Sequence, residues 1–187
     1  MALQALSVIL CALSFTVLEC KHPALRRRAY NIRKFLSTEE PIWTYNTTKP
    51  STHRCQVDVM NDVKDTSIYF KRRYYLNHQK KTMNILGKFD RNRKKHMEVD
   101  IPGRNYTVEE DILYMSENFG CAVIMITTKT LSKFITYDLR ARNSSIICGH
   151  INDCKVIFSE YERREGQILY TPACQNIFVR YMNVRHK

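Results

Sequence analysis

From residue 42 to residue 142 turn signals cut the chain into eight short runs rich in Val, Ile, Thr, Tyr and Phe. The runs cover 42–47, 54–63, 66–75, 81–89, 94–101, 109–117, 119–128 and 133–142. Several alternate at a period of two, most clearly Cys55-Gln56-Val57-Asp58-Val59, Met97-Glu98-Val99-Asp100-Ile101 and residues 134–140, as half-buried strands do. Between them lie Asn61-Asp62, Asn77-His78, Arg91-Asn92, Pro102-Gly103 and Asn118 before Gly120. Successive short strands with tight connections pair antiparallel, and closing the first onto the last removes exposed edges. The expected fold is all-β, an eight-stranded antiparallel up-and-down barrel. A two-sheet sandwich is the alternative that strand pattern leaves open.

Helical spacing appears on either side of the strands. Over 24–36, Leu25, Ala29, Ile32, Phe35 and Leu36 make a stripe beside a basic face, and over 151–164, Ile151, Cys154, Ile157, Phe158 and Tyr161 recur at three- and four-residue steps. Asn152 or Asp153 suits the start of the second helix, and Gly166 follows its end. These predict an N-terminal helix and a C-terminal helix packed outside the barrel. A strand-like stretch at 167–170 leads to Cys174, and a basic tail, 176–187, carries Phe178, Tyr181 and Met182.

The first eighteen residues, MALQALSVILCALSFTVL, are apolar with small residues near the end, the pattern of a secretory signal peptide. The expected organisation is a signal peptide over 1–19, with the cut as early as residue 14, a barrel domain over 20–175 and the tail. Asn46, Asn105 and Asn143 each open an Asn-x-Ser/Thr glycosylation acceptor. Outside the apolar run lie Cys20, Cys55, Cys121, Cys148, Cys154 and Cys174, an even set suited to an oxidised framework. A cut after Cys20 leaves five; an earlier cut leaves six.

Lys plus Arg outnumber Asp plus Glu by 30 to 18, a formal net charge of +12. Such a surface attracts anions over about 8 Å at physiological salt without defining a site. The basic clusters Arg26-Arg27-Arg28, Lys71-Arg72-Arg73 and residues 91–95 are read as solvated surface, and export from the cell disfavours nucleic acid as a partner. The six histidines are scattered, with no nucleophile elbow, phosphate-binding glycine loop or metal-ligand spacing. Neither an enzyme nor a cofactor or resident metal is expected.

Ile42-Trp43-Thr44-Tyr45 before Cys55, Cys121-Ala122-Val123, Tyr137-Asp138-Leu139-Arg140, Cys154-Lys155-Val156-Ile157-Phe158 and Tyr170-Thr171-Pro172-Ala173-Cys174 together resemble the salivary lipocalins of ticks, the histamine-binding family. The resemblance implies a lipocalin barrel, disulfides Cys55–Cys174 and Cys121–Cys154 (with Cys148 as the alternative partner of Cys121), and Cys148 with Cys20. The Gly-x-Trp signature of other lipocalins is absent. Amine-binding members carry a Cys-Asp pair on one strand and Glu-Leu-Trp or Glu-Leu-Tyr on the next. Here Ala122 follows Cys121 and the triplet is Asp138-Leu139-Arg140, so one acid is lost, one is shortened and an aromatic becomes a guanidinium.

Alternation sets Asp138 and Arg140 on one strand face. The resemblance places that face inside the barrel, with Ala122 and Ile124 from the preceding strand and Glu110, Ile112 and Tyr114 from the one before. Trp43 or Tyr45, with Asp58, completes the expected cavity. A buried carboxylate needs a cationic partner. If Asp138 and Arg140 pair only with each other, the pocket is electrically closed. If Arg140 is shared, Glu110 and Asp138 can hold an ammonium, with Tyr114 as an aromatic face. The expected function is secretion as a monomer into saliva and sequestration of a small host mediator, a biogenic amine such as histamine, in evasion of inflammation and haemostasis. A lipid mediator such as a leukotriene, or a host protein bound by the outer surface, is the alternative partner. No membrane insertion is expected.

Overall fold

The computed structural model describes residues 30–162 and 166–179. The expected signal peptide, Cys20, the first six residues of the 24–36 helix, Arg26-Arg27-Arg28, the last two residues of the 151–164 helix and tail residues 180–187 lie outside them. The order is α1 (Ile32–Leu36), β1 (Ile42–Thr47), β2 (His53–Val63), β3 (Ser67–Leu76), β4 (Gln79–Phe89), β5 (His96–Asp100), β6 (Thr107–Met115), β7 (Cys121–Lys129), β8 (Lys133–Arg142), α2 (Asn143–Ile147), α3 (Asn152–Tyr161), β9 (Gln167–Ile168) and a 3-10 helix, Pro172–Phe178.

Strands β2 to β8 pair in sequence, and β1 bonds to both β8 and β2, so the eight strands close into an antiparallel barrel. Closure rather than stacking excludes the sandwich. The two residues of β9 extend β1 beyond its short pairing with β2. The β3–β4 hairpin turns on Asn77 and His78, both at positive φ (49° and 63°), the conformation a two-residue type I′ turn demands.

One end of the barrel is plugged. Asn31, not a residue near 24, caps α1, its side chain accepting from the Lys34 N–H, so Tyr30 and Asn31 fall outside the helix. Arg142 Nη2 donates to the Lys34 and Phe35 carbonyls at the helix's other end, satisfying acceptors that a helix leaves open. Ile32, Phe35 and Leu36 enter the barrel and pack with Ile42, Ile68, Met97, Ile112 and Met115. The polar interior lies toward the opposite end, bordered by the β1–β2 and β5–β6 connections.

Two satellite cores cover the outer wall. Phe158, Cys154 and Ile151 around α3 press on Val123, Leu139 and Ala141, and Cys121–Cys154 ties that helix to β7. Ile151 occupies the N-cap without a side-chain bond, so neither Asn152 nor Asp153 caps α3. Tyr170, Cys174 and Ile177 cover Trp43 and Val57, locked by Cys55–Cys174. These are the two pairings the resemblance implies. Cys148 is exposed and unbonded among the described residues, and its expected partner Cys20 lies outside them. Residues 172–178 of the C-terminal stretch are packed structure, with Phe178 edge-on to Trp43 and 5.7 Å between ring centroids.

Candidate functional site

Alternation along each strand decides which side chains enter the barrel. On β8, Asp138 and Arg140 point inward and are 4 % and 1 % exposed. On β6 and β7, Glu110, Ile112, Ala122 and Ile124 do the same. Asp58 of β2, paired in register with inward-facing Ile42, joins them.

Arg140 is shared. Its Nη1 and Nη2 donate to Glu110 Oε2 and Oε1, both at 2.7 Å, while Nε and Nη2 reach Asp138 Oδ2 at 3.3 and 3.1 Å. Beside this triad Arg72 Nε and Nη2 donate to the two oxygens of Asp58 at 2.7 Å. Burial by itself would push the Glu110 carboxyl up; the charge and hydrogen bonds of Arg140, with Arg72 behind, outweigh it and hold Glu110 below the ordinary glutamate value. Burial likewise opposes charge on Arg140, and Glu110 and Asp138 more than offset it. By formal charge, three carboxylates face two guanidiniums, an excess of one negative charge.

A cavity of about 220 Å³ opens above the cluster, reaching Glu110, Asp138 and Arg72 from the mouth residues Lys49, His53, Arg104 and Tyr106. The hydrogen bonds of Asp138 to Arg140 all end on Oδ2; among the described residues none is made by Oδ1. Burial, then the charges of Lys49, Arg72 and Arg104, push the His53 imidazole down. It therefore stays neutral at physiological pH, stacked on Tyr74 with centroids 4.1 Å apart.

Three expected site residues lie elsewhere. Trp43 pairs in register with Ala141 on the outer face of β8 and packs under the C-terminal segment, its indole N–H bonded to Asn143 Oδ1. Tyr45 stacks on Tyr170 in the same layer, with Lys155 over its ring. Thr44 and Thr47 of β1 face the cavity instead. Tyr114 is turned outward by a bulge: Ile112 pairs with Ile124 but Tyr114 with Val123. The extra residue, Leu113, reverses the face taken by its successors along the strand, and Tyr114 packs in the outer cluster under α3.

Arg72 is the cavity residue that the sequence pattern assigned to solvated surface. Its signal was present: Ile68, Phe70, Arg72 and Tyr74 occupy alternate positions of β3, all buried or nearly so. The 91–95 cluster is exposed as expected. Of the three glycosylation acceptors Asn105 is exposed. The Asn46 side chain is instead packed against Glu162, with Oδ1 buried, and Asn143 accepts from Trp43 and Gln175.

No family model matches the chain, and no curated protein matches it. Solved structures do. The AM182 serotonin complex superposes with a TM-score of 0.57 at 18 % identity, over 73 % of this chain and 85 % of that one. Lobster apocrustacyanin A1 gives 0.54 at 9 % identity, over 78 % and 81 %. Apocrustacyanin C1 gives 0.56 at 8 % identity, over 76 % and 81 %. The chain has the lipocalin fold: a closed eight-stranded antiparallel barrel with flanking helices.

Proposed function

We propose that this chain is a secreted, tick-type lipocalin that sequesters a small cationic amine in its barrel, histamine or serotonin being the first candidates. The observation that carries the reading is the unbalanced carboxylate of the interior cluster, whose Asp138 borders the cavity. A monocation seated there neutralises the cluster, and a charged partner is what a buried carboxylate requires. Tyr106 lines the cavity and takes the place of the aromatic face that Tyr114 was expected to offer. The fold is shared with a protein solved as a serotonin complex, and the two disulfides suit an extracellular protein. Sequestration of a host mediator is the physiological role this reading gives.

The exposed cations Lys49 and Arg104 at the mouth favour a second reading, a fatty-acid-like mediator with its carboxylate at the rim. The cavity is smaller than the ~300–1,000 Å³ of drug-sized pockets, which favours the amine. Calorimetric titration of the wild type, Asp138→Asn and Glu110→Gln with histamine, serotonin and a leukotriene tests both. Each substitution brings the cluster to zero charge. The expected result is amine binding weakened about 10- to 100-fold in the variants, the loss of a charged hydrogen bond. No amine binding by the wild type, or equal affinity in all three proteins, overturns the amine reading. Tight leukotriene binding would then establish the lipid one, and silence toward both would point to a host protein.

A further inference from the structure

On the outer wall, β5 and β6 present two cross-strand pairs side by side: His96 opposite Asp111 and Glu98 opposite Glu109. One ring nitrogen of His96 and one carboxylate oxygen from each of Glu98 and Glu109 lie within 4.8 Å of one another. His96 is 1 % exposed. Its Nδ1 lies 3.1 Å from Asp111 Oδ1, and a carboxylate at that distance takes a proton donated by Nδ1. In the neutral ring with that tautomer Nε2 is the lone-pair nitrogen, and it is buried with no hydrogen-bond partner among the described residues. A buried acceptor left unpaired is uncommon in folded proteins and calls for a cause.

The neighbouring acids add a second anomaly. Carboxylates directly opposite one another on a sheet repel. Lys129 Nζ contacts Glu109 through Oε1 alone, at 2.5 Å, which leaves Glu109 Oε2 for another partner. Lys88, opposite Glu98 in register, gives its own contact to Asp100 at 2.7 Å. Two carboxylates and a ring nitrogen of His96 therefore meet at one place on the barrel's outer wall.

We propose that His96, Glu98 and Glu109 form a divalent-metal site on the outer wall of the barrel, with Asp111 as the positioning residue behind the imidazole. One nitrogen and two carboxylate oxygens suit Zn²⁺, whose donors sit about 2.0–2.2 Å from the ion. The donors must draw together from their present spacing, and the exposed Glu98 side chain supplies that freedom. Three protein ligands leave a fourth position for water or for a side chain of a partner. Asp111 on Nδ1 fixes the tautomer and strengthens the ligand, as carboxylates behind zinc-bound histidines do. The site lies on the opposite face of the wall from the amine cavity and does not depend on the amine reading.

The test is competition between the purified chain and a chromophoric chelator for Zn²⁺ alone. One equivalent bound by the wild type is expected. Glu98→Gln and Glu109→Gln should each weaken it at least tenfold, and Asp111→Asn by about 10- to 100-fold. His96 is buried and its replacement can unfold the wall, so the exposed Glu98 carries the test, with circular dichroism checking the fold. A second readout is the imidazole carbon–proton resonance of His96, which should shift on adding equimolar Zn²⁺. No stoichiometric Zn²⁺ binding overturns the proposal. So does affinity unchanged in both glutamine variants, which would mean an adventitious ion only, held by the other histidines.

Discussion

Arg140 places a full charge inside the barrel, and its neighbours decide whether that stabilises or destabilises. With Glu110 and Asp138 in contact the desolvation cost is offset; with Arg140 removed, two carboxylates lose their partner. Arg140→Met should therefore destabilise by about 3–5 kcal/mol at pH 7, the usual penalty for breaking a buried pair, measured by urea unfolding. In the wild type Glu110 has a folded-state pKa below its unfolded value. Its contribution is thus complete above the ordinary glutamate range, about 4.3, and is lost as pH falls through the lower folded value. In the variant burial raises the Glu110 carboxyl above its ordinary value and it protonates readily, so the gap between the two proteins should narrow as pH falls from about 7 toward about 4. A gap constant from about pH 7 to about pH 4 would contradict this account.

Strands carry the next level of constraint. Gly87 of β4 stands against β5 so closely that an added Cβ would lie 2.4 Å from Met97 Sδ and 2.9 Å from Ile68 Cγ2. Met97 is fully buried and has little room to move. Gly87→Ala should destabilise by about 1–3 kcal/mol, as overpacking does, and a thermal melt equal to the wild type would refute this. Bulges act at the same scale. In β2 an extra residue, Cys55 at φ 54°, sets its sulfur on the outer face, bonded to Cys174. In β6 the extra residue Leu113 carries Tyr114 away from the cavity. Alternation holds up to each bulge and inverts beyond it, which is why the inward face implied by the resemblance fits Glu110 and Ile112 but not Tyr114.

At the scale of the whole molecule, two disulfides fasten the outer layers to the barrel. The Cys55–Cys174 loop spans 119 residues and Cys121–Cys154 spans 33. Chain-entropy reasoning gives about 5 and about 4 kcal/mol respectively. Replacing Cys55 and Cys174 together by Ala should therefore cost more than replacing Cys121 and Cys154, measured by guanidinium unfolding; the reverse order would show that local packing under α3 dominates. By itself the sequence determined the eight successive barrel strands, their antiparallel pairing and the shared face of Asp138 and Arg140, because period-two alternation and turn chemistry are local. Only the tertiary structure decided that β1 closes the barrel, that Trp43 and Tyr45 pack beneath the C-terminal segment, and that Arg72 leaves its basic cluster to face Asp58. Those outcomes depend on bulges and on contacts between residues far apart in the chain. No local pattern encodes which face a side chain takes after an inserted residue, or which distant carboxylate it will meet.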